Sequence, residues 1–181
     1  MLNVDLKIVS KALAKRIKDV LPSIIGSEQT VYVKNRFIGE GGRLISDILE
    51  VTDTLNLNGY MVTIDFEKAF DSLNHDFLMQ VLVKFGFPEY FLDWIKILLC
   101  DQESCVVNDG TTTPYFKLER GARQVDPISA YLFIIALEVL FILIKKDSKI
   151  KPLEILNETF LYSEYADDAT FFCKIWNQLN L

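Results

Sequence analysis

Two adjacent aspartates near the end of the chain, Asp167 and Asp168, constrain the fold more than any other feature of the sequence. They lie between two short apolar stretches, Thr159–Tyr162 and Ala169–Phe172, each of which predicts a β-strand. The acidic pair is therefore expected at the tip of a hairpin. Because neighbouring anions repel each other, the pair is better suited to binding a divalent cation, and hard carboxylate oxygens suit Mg²⁺. The alternative is a solvated Asp-Asp turn, since aspartate is common in turns.

A third aspartate follows a predicted strand further upstream. The apolar run Tyr60–Ile64 is rich in strand-forming residues and leads directly into Asp65. The separation of 102 positions between Asp65 and Asp167 leaves room for helices between the two strands. Carboxylates from both strands would then share a pair of metal ions, which stabilise the attacking and leaving oxygens of a phosphoryl transfer. Alternatively, Asp65 caps the turn or helix that follows it.

Composition is typical of one folded domain in a reducing compartment. Half of the 181 residues are hydrophobic, with only 8 glycines and 5 prolines, so a sizeable core can form. The three cysteines form no C-x-x-C pair and His75 is the one histidine, which argues against a zinc site. The odd cysteine count and the absence of a signal peptide predict an intracellular protein, in the nucleus or cytoplasm and not secreted. The most apolar run, Ala130–Ile144, is too short for a bilayer, so no membrane contact is expected.

The charge is unevenly distributed along the chain. Its net value is −6, whereas nucleic-acid-binding proteins usually carry a basic field. Residues 1–43 contain eight basic and four acidic residues, which makes +4, and residues 44–181 contain eleven and twenty-one, which makes −10. The N-terminal third is therefore the part expected to contact nucleic acid. Four lysines that recur along the first predicted helix either contact phosphates or form a solvated face: Lys7, Lys11, Lys15 and Lys18.

Helical periodicity, helix-ending residues and turn residues predict the other elements of the chain. They are a helix from about Leu6 ended by Pro22 and Gly26, a helix from about Arg43 to Leu57, a helix over His75–Phe85 ended by Gly86, a helix opened by Pro88, a hairpin around Asn108–Gly110, a long helix over Pro127–Lys146 and a short strand over Lys151–Leu156.

Three ordered motifs resemble the palm of reverse transcriptases, most closely those of non-LTR (LINE-type) retrotransposons. The segment Asp65–Asp71 reproduces the family pattern D-F-x-K-A-F-D. The segment Gly121–Phe133 matches G-x-R-Q-G-x-P-L-S-P-x-L-F with changes, and Tyr165–Asp168 matches the A-D-D hairpin that follows Tyr or Phe. Further upstream, Ser10–Arg16, Glu28–Thr30 and Lys34–Arg43 resemble the fingers of these enzymes, so the likeness covers nearly the whole chain.

The resemblance implies an α+β fold with the fingers and palm of a right-hand polymerase, an antiparallel palm sheet packed on helices and no thumb. Residues 1–59 would be mainly fingers, and residues 60–181 mainly palm with some fingers elements. The implied activity is RNA-directed DNA polymerisation with an RNA template, a DNA primer, deoxynucleoside triphosphates and Mg²⁺ or Mn²⁺. The thumb and endonuclease parts of a full-length element would be missing. A group II intron-type maturase is a further possibility, although the motif at Asp65–Asp71 fits the LINE type better.

The resemblance also assigns roles to individual residues. The catalytic, metal-binding carboxylates would be Asp65, Asp167 and Asp168. The nucleotide-binding residues would be Phe66 through its carbonyl, Phe70 as a steric gate against the ribose 2′-hydroxyl, Gln124, Arg123, Arg43, Arg36 and Lys34. Tyr165 and Ala166 would lie near the primer end. Without the motif, Phe70 would be interpreted as a core residue, and each basic residue as an exposed one.

Four departures from the family pattern predict an impaired copy. Val125 replaces the glycine after Gln124, where a bare backbone lets the nucleotide approach closely. The other departures are Ala130 for the second proline, Asn35 for a glycine, and Gly41-Gly42 for bulkier residues. The alternative to a polymerase is therefore a degenerate, non-catalytic remnant that at most binds RNA or a partner.

Overall fold

The computed structural model describes residues 4–100, 102–123 and 126–175, and it combines helices with antiparallel strands. The helices are α1 (Val4–Ile24), α2 (Gly39–Thr54), α3 (Ala69–Ser72), α4 (His75–Lys84), α5 (Glu89–Ile95), which continues into a π-helical turn at Lys96–Cys100, and α6 (Ser129–Lys146). The strands are β1 (Tyr60–Asp65), β2 (Glu103–Ser104), β3 (Val107–Asn108), β4 (Thr111–Thr112), β5 (Phe116–Lys117), β6 (Lys151–Ile155), β7 (Glu158–Phe160), β8 (Tyr162–Tyr165) and β9 (Asp168–Ile175). No helix among these residues is both long and apolar enough to cross a bilayer.

The chain folds into two compact units. The first contains Glu67–Ala136 with the described residues up to Ile17, and the second contains Lys18–Phe66 with the described residues from Leu137 onward. The predicted α+β class with an antiparallel sheet packed on helices is confirmed. The assignment of residues 1–59 to fingers and 60–181 to palm stays a prediction.

The first unit is mainly helical, with two small ladders. β2 pairs with β5 and β3 pairs with β4, which confirms the hairpin predicted around Asp109 and Gly110. The Gly121–Arg123 loop is held by backbone bonds, from Gly121 N–H to Leu73 O at 2.8 Å and from Ala122 N–H to Phe70 O at 2.7 Å. Gly121 has a φ of +99°, and a Cβ added to it would lie 3.4 Å from the backbone oxygen of Asp71. Any other residue at this position would therefore be strained.

The second unit is built on a five-stranded antiparallel sheet. β9 lies in its centre, with β1 along one side and β8 and β6 along the other, and β7 extends the sheet from β6. Adjacent residues of a strand point to opposite faces. Accordingly, Phe172 packs with Ile48 of α2, whereas Phe171 packs with Phe141 of α6. A helix therefore covers each face of this sheet.

Three element boundaries differ from the predictions. α1 continues through Pro22 to Ile24, because the bond from Ile25 N–H to Leu21 O completes the last turn. α2 begins at Gly39 rather than near Arg43. Glycines weaken a helix, but they are tolerated at this end because the helix packs closely there. A Cβ added to Gly41 would lie 3.1 Å from Ser163 Oγ. The apolar run upstream of the acidic pair is not one strand, because its pairing partner changes at Leu161 from β6 to β9.

Candidate active site

The acidic pair lies at the tip of the β8–β9 hairpin, as predicted. Tyr165 and Asp168 form the last pair of the ladder, and Ala166 and Asp167 form a two-residue turn between them. Ala166 has a φ of +55°, the left-handed region, where a Cβ crowds the following carbonyl and costs about 1–2 kcal/mol. The turn that carries the aspartates is therefore strained and needs support from other contacts.

The third aspartate meets this tip through the register of β1 against β9. The two strands pair from Tyr60 opposite Cys173 to Asp65 opposite Asp168, so the predicted adjacency of the strands is confirmed. Directly opposed residues of antiparallel strands project from the same face, with Cβ atoms about 4.5–5.5 Å apart. The residue opposite Asp65 is thus Asp168, and Asp167 precedes it in the turn. The expected separation of 4–6 Å between the Asp65 and Asp167 carboxylates stays a prediction.

These three carboxylates lack internal compensation. Asp65 and Asp168 are exposed and Asp167 is half-buried, and none of them forms an ion pair with a described Lys, Arg or His. Within the described ranges, no three Asp, Glu, His or Cys side chains are arranged as a ready metal site. Mg²⁺ needs only one or two carboxylates because waters and substrate phosphates supply its other ligands. Carboxylate oxygens are the type of ligand that a hard divalent cation prefers, and a metal site at the tip stays a prediction.

The three basic residues with an implied phosphate-binding role have different environments. Arg36 is half-buried and donates to the backbone carbonyls of Gly26, of Gln29 at 2.8 Å and of Ile25 at 3.0 Å. Its guanidinium therefore supports the loop before α2, and only part of it is left for a phosphate. Lys34 and Arg43 make only exposed ion pairs, at 3.2 Å with Asp19 and at 3.5 Å with Asp47, which are easily exchanged.

Of the remaining predicted nucleotide-binding residues, Phe66 lies at the end of β1, and Phe70 and Arg123 lie in the first unit. Phe66 is half-buried directly after β1. The Phe70 ring stacks on Phe133 with centroids 4.8 Å apart, which is the contact expected of a core residue. Arg123 is half-buried and donates to the Gln102 side chain. Gln124 and Val125 lie outside the described residues.

At the predicted primer end, Tyr165 is exposed whereas Ala166 is buried. The departure from the family pattern at Asn35 is conformationally mild. Asn35 has a φ of +64°, a region that glycine prefers and that asparagine tolerates better than most residues. Asn35 therefore adopts a backbone conformation that a glycine at this position could also adopt.

Sequence reasoning missed two buried polar residues beneath the tip, Gln29 and Glu164. Gln29 Nε2 donates to Glu164 Oε2 at 3.0 Å, and Gln29 Oε1 accepts from Ala166 N–H at 3.1 Å. Burial, then repulsion from Glu138 and Glu28, raises the pKa of Glu164 to about 8. The sequence offered two signals, the position of Glu164 inside a strand pattern and the likeness of Glu28–Thr30 to the fingers, and neither of them indicates burial.

The sequence as a whole places this geometry in a known family. Residues 1–180 match the family model described as reverse transcriptase (RNA-dependent DNA polymerase). The chain belongs to the reverse transcriptase family. The predicted fingers–palm resemblance of the non-LTR type is therefore confirmed.

Relatives of this reverse transcriptase domain come from mobile elements. The transposon TX1 uncharacterized 149 kDa protein of Xenopus laevis is 32% identical over 169 residues, which cover 93% of this chain and 13% of that protein. The Pol polyprotein from the type-2 retrotransposable element R2DM of Drosophila melanogaster is 28% identical over 115 residues, 64% of this chain and 11% of that protein. The chain thus spans about an eighth of the TX1 protein's length.

Solved telomerases share the fold. The apo telomerase of Candida tropicalis, truncated from its C-terminal domain, superposes with a TM-score of 0.58 at 14% identity, over 94% of this chain and 34% of that one. The telomerase of Candida albicans, solved with a fragment of telomeric RNA, gives a TM-score of 0.58 at 12% identity, over 94% of this chain and 31% of that one. At such identity the likeness concerns the fold alone.

Proposed function

We propose that this chain is the fingers–palm part of an RNA-directed DNA polymerase of a retrotransposon, which adds deoxynucleotides to a primer 3′-hydroxyl. The observation that carries the proposal is the register of β1 against β9, which opposes Asp65 and Asp168 and leaves Asp167 beside them in the turn. Asp65 comes from a distant part of the chain, and none of the three carboxylates pairs with a described Lys, Arg or His. The partners would be an RNA template, a DNA primer and deoxynucleoside triphosphates, inside the cell.

Each residue at the tip would have a definite task. Asp65, Asp167 and Asp168 would hold two Mg²⁺ or Mn²⁺ ions through carboxylate oxygens, with the Phe66 carbonyl as a further ligand. Bound ions supply the charge that activates the primer 3′-hydroxyl and stabilises the phosphoryl oxygens. Tyr165 would lie at the primer end.

Cations and the remaining motif residues would bind the nucleotide. Lys34 and Arg43 can leave their exposed ion pairs to neutralise the triphosphate, and Arg36 would contribute its remaining donors. Phe70 would select against a ribose 2′-hydroxyl, and Arg123 and Gln124 would form the loop beside the nucleotide. These roles follow from the family motif.

Metal-linked stabilisation tests the proposal without requiring catalysis. Mg²⁺ or Mn²⁺ should raise the melting temperature of the chain, because an ion that binds only the folded state stabilises it by mass action. Asp167→Asn combined with Asp168→Asn should abolish this shift. The matched control is Glu50→Gln combined with Asp53→Asn, which also removes two exposed negative charges, from α2. An equal shift in the tip variant would place the ion elsewhere and favour the non-catalytic remnant.

A further inference from the structure

The side chain of Gln29 is completely buried and uses its full hydrogen-bonding capacity around the acidic turn. Its Oε1 accepts from the backbone N–H of Ala166 at 3.1 Å and of Val31 at 3.2 Å. Its Nε2 donates to Glu164 Oε2 at 3.0 Å and to the Ala166 carbonyl at 3.4 Å. Because an amide has two donor hydrogens and two acceptor positions, only one orientation satisfies all four contacts.

The turn needs such a partner. Ala166 is a buried non-glycine residue at a φ of +55°, and as a turn residue its N–H and C=O have no place in the ladder between β8 and β9. Buried backbone groups without partners are costly, and a left-handed alanine adds strain. Gln29 binds both the N–H and the C=O of Ala166, so its two hydrogen bonds offset the cost of burying these groups at the strained residue of the turn.

Gln29 is itself fixed against the hairpin by its neighbours. Its backbone forms a parallel bridge with Glu164, flanked by bonds from Thr30 N–H to Glu164 O at 3.2 Å and from Glu164 N–H to Glu28 O at 3.0 Å. The Gln29 carbonyl accepts from Arg36 at 2.8 Å. A long side chain held at its backbone and at its amide loses little further entropy when it orders the turn.

We infer that Gln29 is a positioning residue that holds the Ala166 backbone and thereby aims the Asp167 and Asp168 carboxylates toward Asp65. The catalytic consequence rests on the proposed function, whereas the clamp itself does not. Glu164 orients the amide by accepting from Nε2, so it supports the turn through Gln29.

Hydrogen exchange of the Ala166 amide tests the clamp in the unmodified chain. Although Ala166 lies in a turn at a hairpin tip, its N–H should exchange as slowly as the amides of β9. An Ala166 amide that exchanges at the rate of an open turn would overturn the inference without any mutation.

Gln29→Met keeps the length of the side chain and removes every hydrogen bond that it makes. It should accelerate Ala166 exchange about tenfold relative to β9, as expected when a buried hydrogen bond is lost. The matched control is Thr30→Val, which removes the buried bond from Thr30 Oγ1 to the Glu164 carbonyl and touches no group of Ala166. Glu164→Gln keeps an acceptor for Nε2 and should leave exchange unchanged. Equal acceleration in Gln29→Met and Thr30→Val would reduce Gln29 to a packing residue.

Mn²⁺ affinity, read by electron paramagnetic resonance, separates the clamp from the proposed function. Gln29→Met should weaken Mn²⁺ binding about tenfold, the effect of removing a group that orients a metal ligand, while Thr30→Val should not. If Mn²⁺ binds neither the unmodified chain nor the variants, the proposed function fails and the exchange result still decides the clamp. If Mn²⁺ binds all of them equally, the positioning role fails and the proposed function stands.

Discussion

The second unit contains two groups of carboxylates that differ in whether the chain supplies them with a partner. The tip group, Asp65, Asp167 and Asp168, is at least partly exposed and has no ion pair within the described residues. The interior group consists of two buried glutamates, Glu138 and Glu164, and the half-buried Glu28, and each of the three has a protein partner. Glu28 pairs with Lys145 at 2.9 Å, Glu138 accepts from Gly26 N–H at 2.9 Å, and Glu164 accepts from Gln29 at 3.0 Å.

The comparison identifies the carboxylates whose negative charge has no partner within the described residues. A buried carboxylate must be paired, hydrogen-bonded or protonated, because desolvation of the charge is costly. Each member of the interior group has a partner in the chain itself, although the second oxygen of Glu164, Oε1, has no hydrogen-bond partner among the described residues. The tip group has no such partner among the described residues, which is why we propose a bound cation there.

The largest expected effect comes from breaking the tip group. Asp167→Asn should lower primer extension on an RNA template about a hundredfold or more, because it removes an electrostatic contact used in the transition state. The assay uses a chain that carries Val125→Gly and the thumb of a related element, since positioning supplies much of the catalysis in phosphoryl transfer.

The matched control is Glu154→Gln, which removes an exposed carboxylate on β6 of the same sheet. It should leave primer extension unchanged. Equal losses of extension in Glu154→Gln and Asp167→Asn would contradict a special catalytic role of the tip carboxylates. The unmodified 181 residues should show no extension, and the thumb should restore little while Val125 is present. Robust extension by either would show that the departure at Val125 is harmless.

The next effect is a pH dependence that originates in the interior group. Burial, then Glu138 and Glu28, raises the pKa of Glu164 to about 8, whereas Lys145 and Gln29 lower it in part. The folded state therefore keeps a proton that the unfolded state releases above a pH of about 4.5. The contribution of Glu164 to the free energy of unfolding should be complete below that pH and should fall by a few kcal/mol as the pH rises toward 8.

Urea unfolding of Glu164→Gln at pH 5, 6, 7 and 8 checks this dependence. The variant cannot ionise, so the decrease should become shallower, and the rest of it should come from Glu138, whose pKa is also raised by burial. Glu154→Gln should keep the original slope. Parallel curves for Glu164→Gln and the unmodified chain would show that Glu164 is ionised in the fold.

A smaller effect on the free energy of unfolding distinguishes two of the basic residues, Arg36 and Arg43. Arg36→Ala removes a donor from three carbonyls of the loop that carries Gln29, of which Gly26 O also accepts from Gln29 N–H at 3.4 Å, and it should cost about 2–4 kcal/mol. Arg43, with 82% of its side chain exposed, should change unfolding free energy by less than about 0.5 kcal/mol when mutated to alanine. Urea unfolding measures both, and Arg36→Lys should not rescue because an ammonium lacks the fork of donors. Similar costs for both arginines would contradict a structural role for Arg36.

The smallest effect concerns the departure at Asn35. Because its φ of +64° suits glycine and asparagine alike, Asn35→Gly should change unfolding free energy by less than about 0.5 kcal/mol. Asn35→Ala, measured beside it by thermal unfolding, should cost about 1 kcal/mol. A large gain from Asn35→Gly would instead mark this position as a true lesion of the loop.

Local chemistry made much of the fold predictable. Gly86, at a φ of +81°, follows α4 as predicted, and Asp109-Gly110 forms the predicted turn. The tip position of Asp167 and Asp168 also follows from the flanking apolar runs. These features depend on neighbours within a few residues, which the sequence displays directly.

Pairing between distant segments was less accessible. The run from Thr159 to Tyr162 reads as one strand, yet Phe160 pairs with Leu153 and Tyr162 pairs with Phe171. Alternation of apolar residues predicts that a segment is extended, but it does not indicate which strand pairs with that segment. For the same reason the register that opposes Asp65 to Asp168 required the structure.

The motif around Asp65 and the Asp167-Asp168 pair identified the family, because chemistry restricts which residue types can stand there. The supports of that site came from the folded chain. Gln29 lies 137 residues before Ala166, and Arg36 supports the loop through bonds to the carbonyls of Ile25, Gly26 and Gln29. Whether a polar side chain binds a ligand or a buried backbone group depends on what desolvates it, and burial arises only when distant segments pack together.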